Sequence, residues 1–153
     1  FASAKGFMQY ETSSNDPCMP DLGGMSGTRM RIIEDVPFEL IKTGDGNYRG
    51  VIYPDLFVDH DYFGLGPCHI AFIAARAEFK ISGGQNESPF IETLKRDRVL
   101  AEETLVSGFL RRQYPAGTVG GAPVPSFREG TPMRDRVKEQ DLFGIELTAT
   151  RQR

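Results

Sequence analysis

Five side chains capable of metal binding or catalysis lie between positions 59 and 69: Asp59, His60, Asp61, Cys68 and His69. Carboxylate, imidazole and thiolate groups are the usual ligands of transition metals, so a metal site is the first hypothesis. In a strand, however, successive side chains point to opposite faces, which would separate His60 from the two aspartates. The spacing also matches neither paired C-x2-C zinc ligands nor the loop of an EF-hand. The pattern favours a solvated acidic turn, and we expect no metal and no cofactor.

Nucleophilic catalysis is disfavoured by the same stretch and by the rest of the chain. Cys68 and His69 are adjacent, so a strand would place the thiol and its base on opposite faces. There is no G-x-S-x-G motif, and the G-x-G pairs at Gly44 and Gly64 lack the third glycine of a phosphate-binding loop. We therefore expect a protein that is not an enzyme. A small metal-dependent enzyme using Asp59, His60, Asp61 and His69 is the least favoured alternative.

Length and charge exclude several other classes. The 153 residues fit one domain, and 18 basic against 21 acidic side chains leave a net charge of -3. A nucleic-acid-binding protein would usually carry a basic face, so that class is disfavoured. No run of 18 or more apolar residues is present, which argues against a membrane span. The chain begins at Phe1, which is typical of a mature or trimmed product.

The elements that must position these residues are predicted to be mainly strands. With 17 Gly and 10 Pro, the composition is typical of a turn-rich fold. Residues 1–28, rich in Ser, Gly, Asn and Pro, are interpreted as an N-terminal arm, and residues 29–153 as a single β-rich domain. Short strands are expected at residues 30–33 and 38–43. Gly44-Asp45-Gly46 predicts a hairpin over residues 38–53.

Residues 69–81 have a pattern that fits two structures. At a period of two, the odd-numbered residues from His69 to Ile81 form an uncharged face. The other face changes from Ile70, Phe72 and Ala74 to Arg76, Glu78 and Lys80, as in a strand buried on both faces at its start and on one face at its end. At helical spacing, Ile70, Ile73, Ala74, Ala77 and Ile81 also align, and Pro67 and Gly83 would bound a helix. The strand is favoured because Phe72 and Phe79 fall off the helical stripe.

The C-terminal half predicts one short helix between strands. Residues 90–94 have a turn-like or helical spacing, and Asp97 is predicted to cap a helix through about Glu103. Residues 104–112 favour a strand, with one amphipathic helix over 98–112 as the alternative, and residues 143–149 alternate as a terminal strand. Residues 115–140 form a long loop. The expected fold class is α+β, mainly β: a twisted antiparallel sheet or β-sandwich with one short helix.

Cys18 and Cys68 are the only cysteines, and each follows a proline in a turn-like context. A bond between them would close a loop of about 50 residues and contribute about 4 kcal/mol in the chain-entropy model. Two buried thiols are the alternative. The proline contexts favour a disulfide, which would imply an oxidising compartment.

Two segments are predicted to contact a partner protein. The first is the turn containing Tyr62 and Phe63 beside acidic residues, a composition that recurs at interface hot spots; alternatively, the two rings cover the end of the core. The second is the loop of residues 115–130. The predicted contact residues are Asp59, His60, Asp61, Tyr62, Phe63, Phe127 and Arg128.

Part of the chain resembles a group of small exported proteobacterial proteins. The resemblance lies in YRGVIYPD at residues 48–55, DHDYFGLGPCH at residues 59–69, Phe90-Ile91 with Leu94, and QYP at residues 113–115. Members of this group are identified as immunity proteins encoded beside type VI secretion effectors, including lipase effectors. In the group pattern a tryptophan follows Cys-His, whereas this chain has Ile70 and no tryptophan.

The resemblance implies a periplasmic, β-rich protein, with or without a lipid anchor before Phe1, that binds and occludes a cognate toxin. It also favours a strand over residues 69–81. A structural or accessory component of an exported assembly, using an edge strand, is the alternative function.

Overall fold

The computed structural model describes residues 1–13, 16–23, 29–113, 122–128 and 131–151. The strands are β1 (Ser3–Thr12), β2 (Ile33–Phe38), β3 (Ile41–Gly44), β4 (Asn47–Arg49), β5 (Ile70–Lys80), β6 (Phe90–Lys95), β7 (Thr104–Leu110), β8 (Phe127–Arg128) and β9 (Leu142–Thr148). One α-helix, α1, covers Arg96–Leu100, and short 3-10 helices cover Arg111–Gln113, Arg134–Arg136 and Glu139–Asp141. The strand pairs are antiparallel, so the predicted α+β, mainly β class is confirmed.

A four-stranded sheet with the order β2-β1-β5-β6 forms the larger layer. Strand β1 lies inside this sheet, because it pairs with β2 along one edge and with β5 along the other. Its even-numbered residues Gly6, Met8, Tyr10 and Thr12 are buried, as a period of two requires. The predicted N-terminal arm over residues 1–28 is therefore wrong for Ser3–Thr12. The mutual hydrogen bonding of three strands overrides the weakly apolar composition of this segment.

Strand β5 confirms the prediction of a strand over residues 69–81, with one change in its register. Gln9 pairs with Ala74 and Tyr10 with Phe72, so a bulge at Ile73 interrupts the pairing with β1. The buried face passes from even-numbered residues such as Phe72 to odd-numbered ones such as Phe79. The burial of Ile70, Phe72 and Ala74 agrees with the predicted burial of both faces at the start of the strand, but Ala71 and Ile73 on the odd-numbered face are only half-buried there.

A three-stranded sheet with the order β8-β7-β9 supplies the second group of core side chains. The rings of Phe90 and Phe109 meet edge to face with centroids 5.4 Å apart, and Phe143 packs against both. Leu105 from β7 joins the cluster formed by Met8, Tyr10 and Phe72 of the larger sheet. The core therefore lies between the two sheets.

Several local predictions need adjustment. The hairpin is confirmed but shorter than predicted, since β3 begins at Ile41 and β4 ends at Arg49. The strand predicted at residues 30–33 lies instead at Ile33–Phe38.

Residues 90–94 form strand β6 rather than a turn or helix. Helix α1 has Lys95 at its N-cap with no side-chain capping bond, so Asp97 is a first-turn residue and not the cap. Strands β7 and β9 agree with the predicted ones, and β7 excludes a helix over 98–112.

Within the described ranges, no helix is long and apolar enough to cross a bilayer.

Candidate functional site

The connection between β4 and β5 exposes an unusual amount of apolar surface. Residues 51–67, called here the 51–67 loop, belong to no strand of a sheet. Half of the fourteen exposed large hydrophobic residues in the described part of the chain lie in this loop: Val51, Tyr53, Leu56, Val58, Tyr62, Phe63 and Leu65. Val58 is 77% exposed. Such a concentration of exposed apolar side chains is typical of an interaction surface.

The base of the loop is packed onto the core. Phe57 meets the buried ring of Tyr10 edge to face, with centroids 4.9 Å apart, and Ile52 packs against the same cluster. The Tyr10 hydroxyl donates a hydrogen bond to the carbonyl oxygen of Tyr53. Burial, assisted by the Asp55 carboxylate, raises the pKa of Tyr10 and keeps this donor protonated. The first third of the loop is therefore held by the central strand β1.

The far end of the loop is fastened by a disulfide. Cys68 is bonded to Cys18, as predicted, and both residues are buried beside Met19. The backbone N–H of Cys68 donates to the carbonyl oxygen of His60 at 2.9 Å, which closes the loop on itself. Both ends of the exposed apolar surface are thus fixed in position.

The carboxylate of Asp61 holds the backbone at the tip of the loop. Its Oδ1 atom accepts hydrogen bonds from the backbone N–H groups of Phe63, Gly64 and Leu65 at 3.2, 2.6 and 3.1 Å. Partial desolvation acts to raise the pKa of Asp61, but the backbone donors together hold it below its usual value. Gly64 and Gly66 supply the positive φ values of 73° and 108° that the turn requires. Asp61 therefore shapes the tip, and Tyr62 and Phe63 are left pointing outward, 45% and 40% exposed.

The remaining polar residues of the predicted site form surface pairs. Asp59 Oδ1 and His69 Nδ1 lie 2.8 Å apart, and both side chains are well exposed. The ring of His60 packs edge to face on Tyr62, with centroids 5.0 Å apart. Among the residues that the structure describes, no group of three or more His, Cys, Asp or Glu side chains is arranged to hold a metal ion. The contacts of Asp59, His60, Asp61 and His69 thus shape the loop.

The second predicted contact segment is the loop of residues 115–130. Residues 115–121 and 129–130 lie outside the described residues. Phe127 pairs with Gly108 in the small sheet and is only 8% exposed, so its prediction as a contact residue is wrong. Arg128 is 45% exposed, but its guanidinium approaches the Glu92 carboxylate at 3.9 Å. Of the predicted contact residues, only those of the 51–67 loop form a common exposed surface.

Glu92, which the sequence did not single out, is a fully buried carboxyl group between the sheets. Neither of its oxygens has a hydrogen-bond partner at ordinary distance and angle among the described residues, although the Ser107 hydroxyl lies close enough to act on the carboxyl group. Burial raises the pKa of Glu92, against the smaller lowering effects of the Ser107 hydroxyl and the Arg128 guanidinium. The available signal was the alternation of Phe90, Glu92 and Leu94, which places all three on one face once residues 90–95 are taken as a strand.

Comparison of the chain with protein families, curated proteins and solved structures finds no match.

Proposed function

We propose that this protein is a non-enzymatic immunity protein that binds a cognate secreted antibacterial toxin through the 51–67 loop and occludes it. The proposal rests on one observation: the apolar side chains of this loop are exposed while its backbone is held in place. Seven large hydrophobic side chains are exposed between Val51 and Leu65, while the disulfide and Tyr10 hold the backbone beneath them.

Fixation matters because binding a mobile loop costs conformational free energy. Ordering a flexible side chain or loop at an interface costs roughly 0.5–1.5 kcal/mol per side chain. In this protein the bonds from Asp61, the packing of Phe57 and the Cys18–Cys68 disulfide set the conformation before any partner arrives. Preformed aromatic residues such as Tyr62 and Phe63 are the usual hot spots of such interfaces. The geometry favours tight occlusion over a transient contact.

The charge of the loop suits a partner with an apolar surface bordered by cations. Asp55, Asp59 and Asp61 lie between the exposed apolar side chains and are themselves exposed. Complementary charges at the rim would accelerate association and select one toxin over others. A basic rim around an apolar active-site entrance, as in an enzyme acting on lipids, would be such a surface.

The disulfide supports a location outside the cytoplasm. Disulfides persist in oxidising compartments such as the bacterial periplasm. This supports an exported protein, and the resemblance to immunity proteins of type VI effectors, including lipase effectors, supports the periplasm as the place where toxin and inhibitor meet.

The test is co-expression with the product of the adjacent gene, followed by measurement of the dissociation constant and of protection against the toxin. Tyr62→Ala removes a central exposed ring and should weaken binding about 30-fold if Tyr62 is a hot spot of about 2 kcal/mol. Leu65→Ala should weaken binding less, and Leu100→Ala is its matched control, since these leucines are 54% and 48% exposed. Binding by the Leu100→Ala variant should equal that of the wild type.

Two outcomes would contradict the proposal at different points. Undiminished binding by the Tyr62→Ala, Leu65→Ala double variant would exclude the loop as the contact surface. Failure to form any complex with the neighbouring product, or to protect cells from it, would exclude the toxin inhibitor itself.

The edge strand β9 favours one second candidate, an accessory component of an exported assembly. In the described part of the chain, β9 pairs with β7, and no second strand pairs with residues 144–148 on the other side. An unpaired edge is able to add a strand from another chain. Concentration-dependent filaments or oligomers that a Lys substitution at Gly144 disrupts would favour this candidate over the inhibitor.

A further inference from the structure

A cavity of about 610 Å³ lies between the end of β7, β8 and the segment before β9, and it shares no lining residue with the 51–67 loop. This size falls within the range of roughly 300–1,000 Å³ that is usual for small-molecule sites. Its apolar lining consists of Leu110 from β7, Phe127 from β8 and Val137 from the segment before β9. Its polar lining consists of Arg111, Arg112, Arg136, Lys138, Gln140 and Asp141.

The charge of this lining opposes that of the whole protein. Four cations against the single carboxylate of Asp141 leave an excess of three positive charges in a chain whose net charge is -3. None of the four cations makes an ion pair with another residue in the part of the chain that the structure describes. Like charges gathered around one cavity repel each other, and an anion bound among them would offset that repulsion.

The backbone that carries these cations is held in place. The guanidinium of Arg134, mostly buried, donates to the carbonyl oxygen of Val137 at 3.4 Å and pairs with Glu139 at 3.6 Å. The backbone N–H of Val137 in turn donates to the carbonyl oxygen of Arg134. These bonds fix the turn on which Arg136 and Lys138 flank Val137. On the opposite wall, Arg111 and Arg112 begin a 3-10 helix directly after β7.

We propose that this cavity binds a phosphate monoester that carries a small apolar group. Guanidinium groups match phosphate oxygens with paired hydrogen bonds, and a phosphate monoester carries a charge of about -1.5 to -2 at neutral pH. A carboxylate would neutralise less of the positive excess. The ring of Phe127 and the side chains of Leu110 and Val137 would receive the apolar group. A soluble phosphate ester and the headgroup of phosphatidic acid share this chemistry.

The first arm of the test is calorimetric titration of the whole protein with phenyl phosphate, inorganic phosphate and benzoate. Phenyl phosphate should bind saturably at one site and more tightly than either of the other two probes, because only it satisfies both the cations and the apolar lining. Arg112→Gln and Arg136→Gln should each weaken binding about tenfold or more, as expected for loss of a charge-assisted hydrogen bond. Arg96→Gln, which changes an exposed arginine of α1 outside the cavity, is the matched control and should leave binding unchanged.

The second arm separates the two sources of phosphate with vesicles of phosphatidylcholine alone and of phosphatidylcholine with phosphatidic acid. Binding to the phosphatidic acid vesicles that is lost in Arg136→Gln and kept in Arg96→Gln would support the site and assign it to a lipid headgroup. Saturable binding of phenyl phosphate without vesicle binding would support the site and assign it to a soluble ester. Absence of both, or equal weakening by Arg96→Gln and Arg136→Gln, would overturn the proposal.

Discussion

Replacing Glu92 by glutamine should change how the stability of this protein depends on pH. The Glu92 side chain is fully buried, and its nearest cation, Arg128, lies 3.9 Å away and is 45% exposed. Removing a carboxylate from water costs several kcal/mol. An ion pair with a partner as exposed as Arg128 contributes at most about 1 kcal/mol. Desolvation therefore dominates, and the pKa of Glu92 lies above its ordinary value of 4.5.

The direction of the effect follows from proton linkage. Between pH 4.5 and the raised pKa, the folded protein keeps a proton on Glu92 that the unfolded chain has released. The stabilisation is therefore complete below the ordinary pKa and is lost as the pH rises through the folded pKa. A single proton sets a ceiling of about 1.4 kcal/mol per pH unit on this slope. The glutamine side chain of Glu92→Gln does not titrate, so the free energy of unfolding of this variant should lack the pH dependence that Glu92 produces.

Urea denaturation from about pH 4 to about pH 8 provides the measurement. The free energy of unfolding of Glu92→Gln minus that of the wild type should be flat at low pH and then increase with pH. Glu146→Gln, which changes an exposed glutamate of β9, corrects for the loss of one negative charge. A Glu92→Gln difference that stays constant over the whole range would refute the reasoning, because Glu92 would then have the same pKa in both states.

Three further predictions concern the framework of the 51–67 loop. Replacing Cys18 and Cys68 by alanine should lower the free energy of unfolding by about 4 kcal/mol, measured by urea denaturation, because the disulfide closes a loop of 50 residues. The Asp61 carboxylate stabilises the folded protein above its ordinary pKa, and this stabilisation is lost as the pH falls through its lowered folded pKa. In Asp61→Asn the free energy of unfolding, measured in the same assay, should therefore decrease less as the pH falls. Gly50→Ala should lower the free energy of unfolding by about 1–3 kcal/mol, since the added Cβ would lie 2.5 Å from the Phe38 ring. The double variant Gly50→Ala, Phe38→Leu should recover part of the stability lost in Gly50→Ala.

Each of these predictions has a control that is expected to behave differently. Adding a reductant should destabilise the wild type and leave the double alanine variant unchanged. Asp45→Asn, in the exposed hairpin turn, serves as the surface control for Asp61→Asn. Gly144→Ala adds a Cβ at an ordinary contact distance of 3.8 Å and should be tolerated far better than Gly50→Ala. Equal destabilisation by the two glycine variants would contradict the proposed clash with Phe38.

The strands with a clear period of two were predictable from local patterns. The glycines of the β3–β4 turn and the alternation in β9 indicate elements whose patterns fit one structure best, and the apolar run of β5 favours a strand because Phe72 and Phe79 fall off the helical stripe. Strand β1 lacked such a pattern, because Gly6 and Gln9 are poor strand formers on their own. Its conformation depends on hydrogen bonds from β2 on one side and β5 on the other.

The candidate site was predictable in its composition more than in its extent. Tyr62 and Phe63 were identified from their types and neighbours, and they are exposed. Val58 and Leu65 were not identified, because nothing in a local pattern distinguishes an apolar residue that covers the core from one that faces water. For the same reason Phe127 was predicted to contact a partner although it is buried, since its burial depends on its pairing with Gly108.

The sequence by itself determined the β-rich class, the hairpin and the strands β5, β7 and β9, and it favoured the pairing of Cys18 with Cys68, because these inferences depend on local side-chain patterns and on a cysteine count of two. Only the tertiary structure decided which polar and aromatic side chains are available to a partner. Glu92 is enclosed because Ser107 of β7 and Arg128 of β8 lie beside it, and the tip of the 51–67 loop is exposed because none of the described elements packs over it. Burial is a property of contacts between segments far apart in the chain, so a local pattern does not contain it.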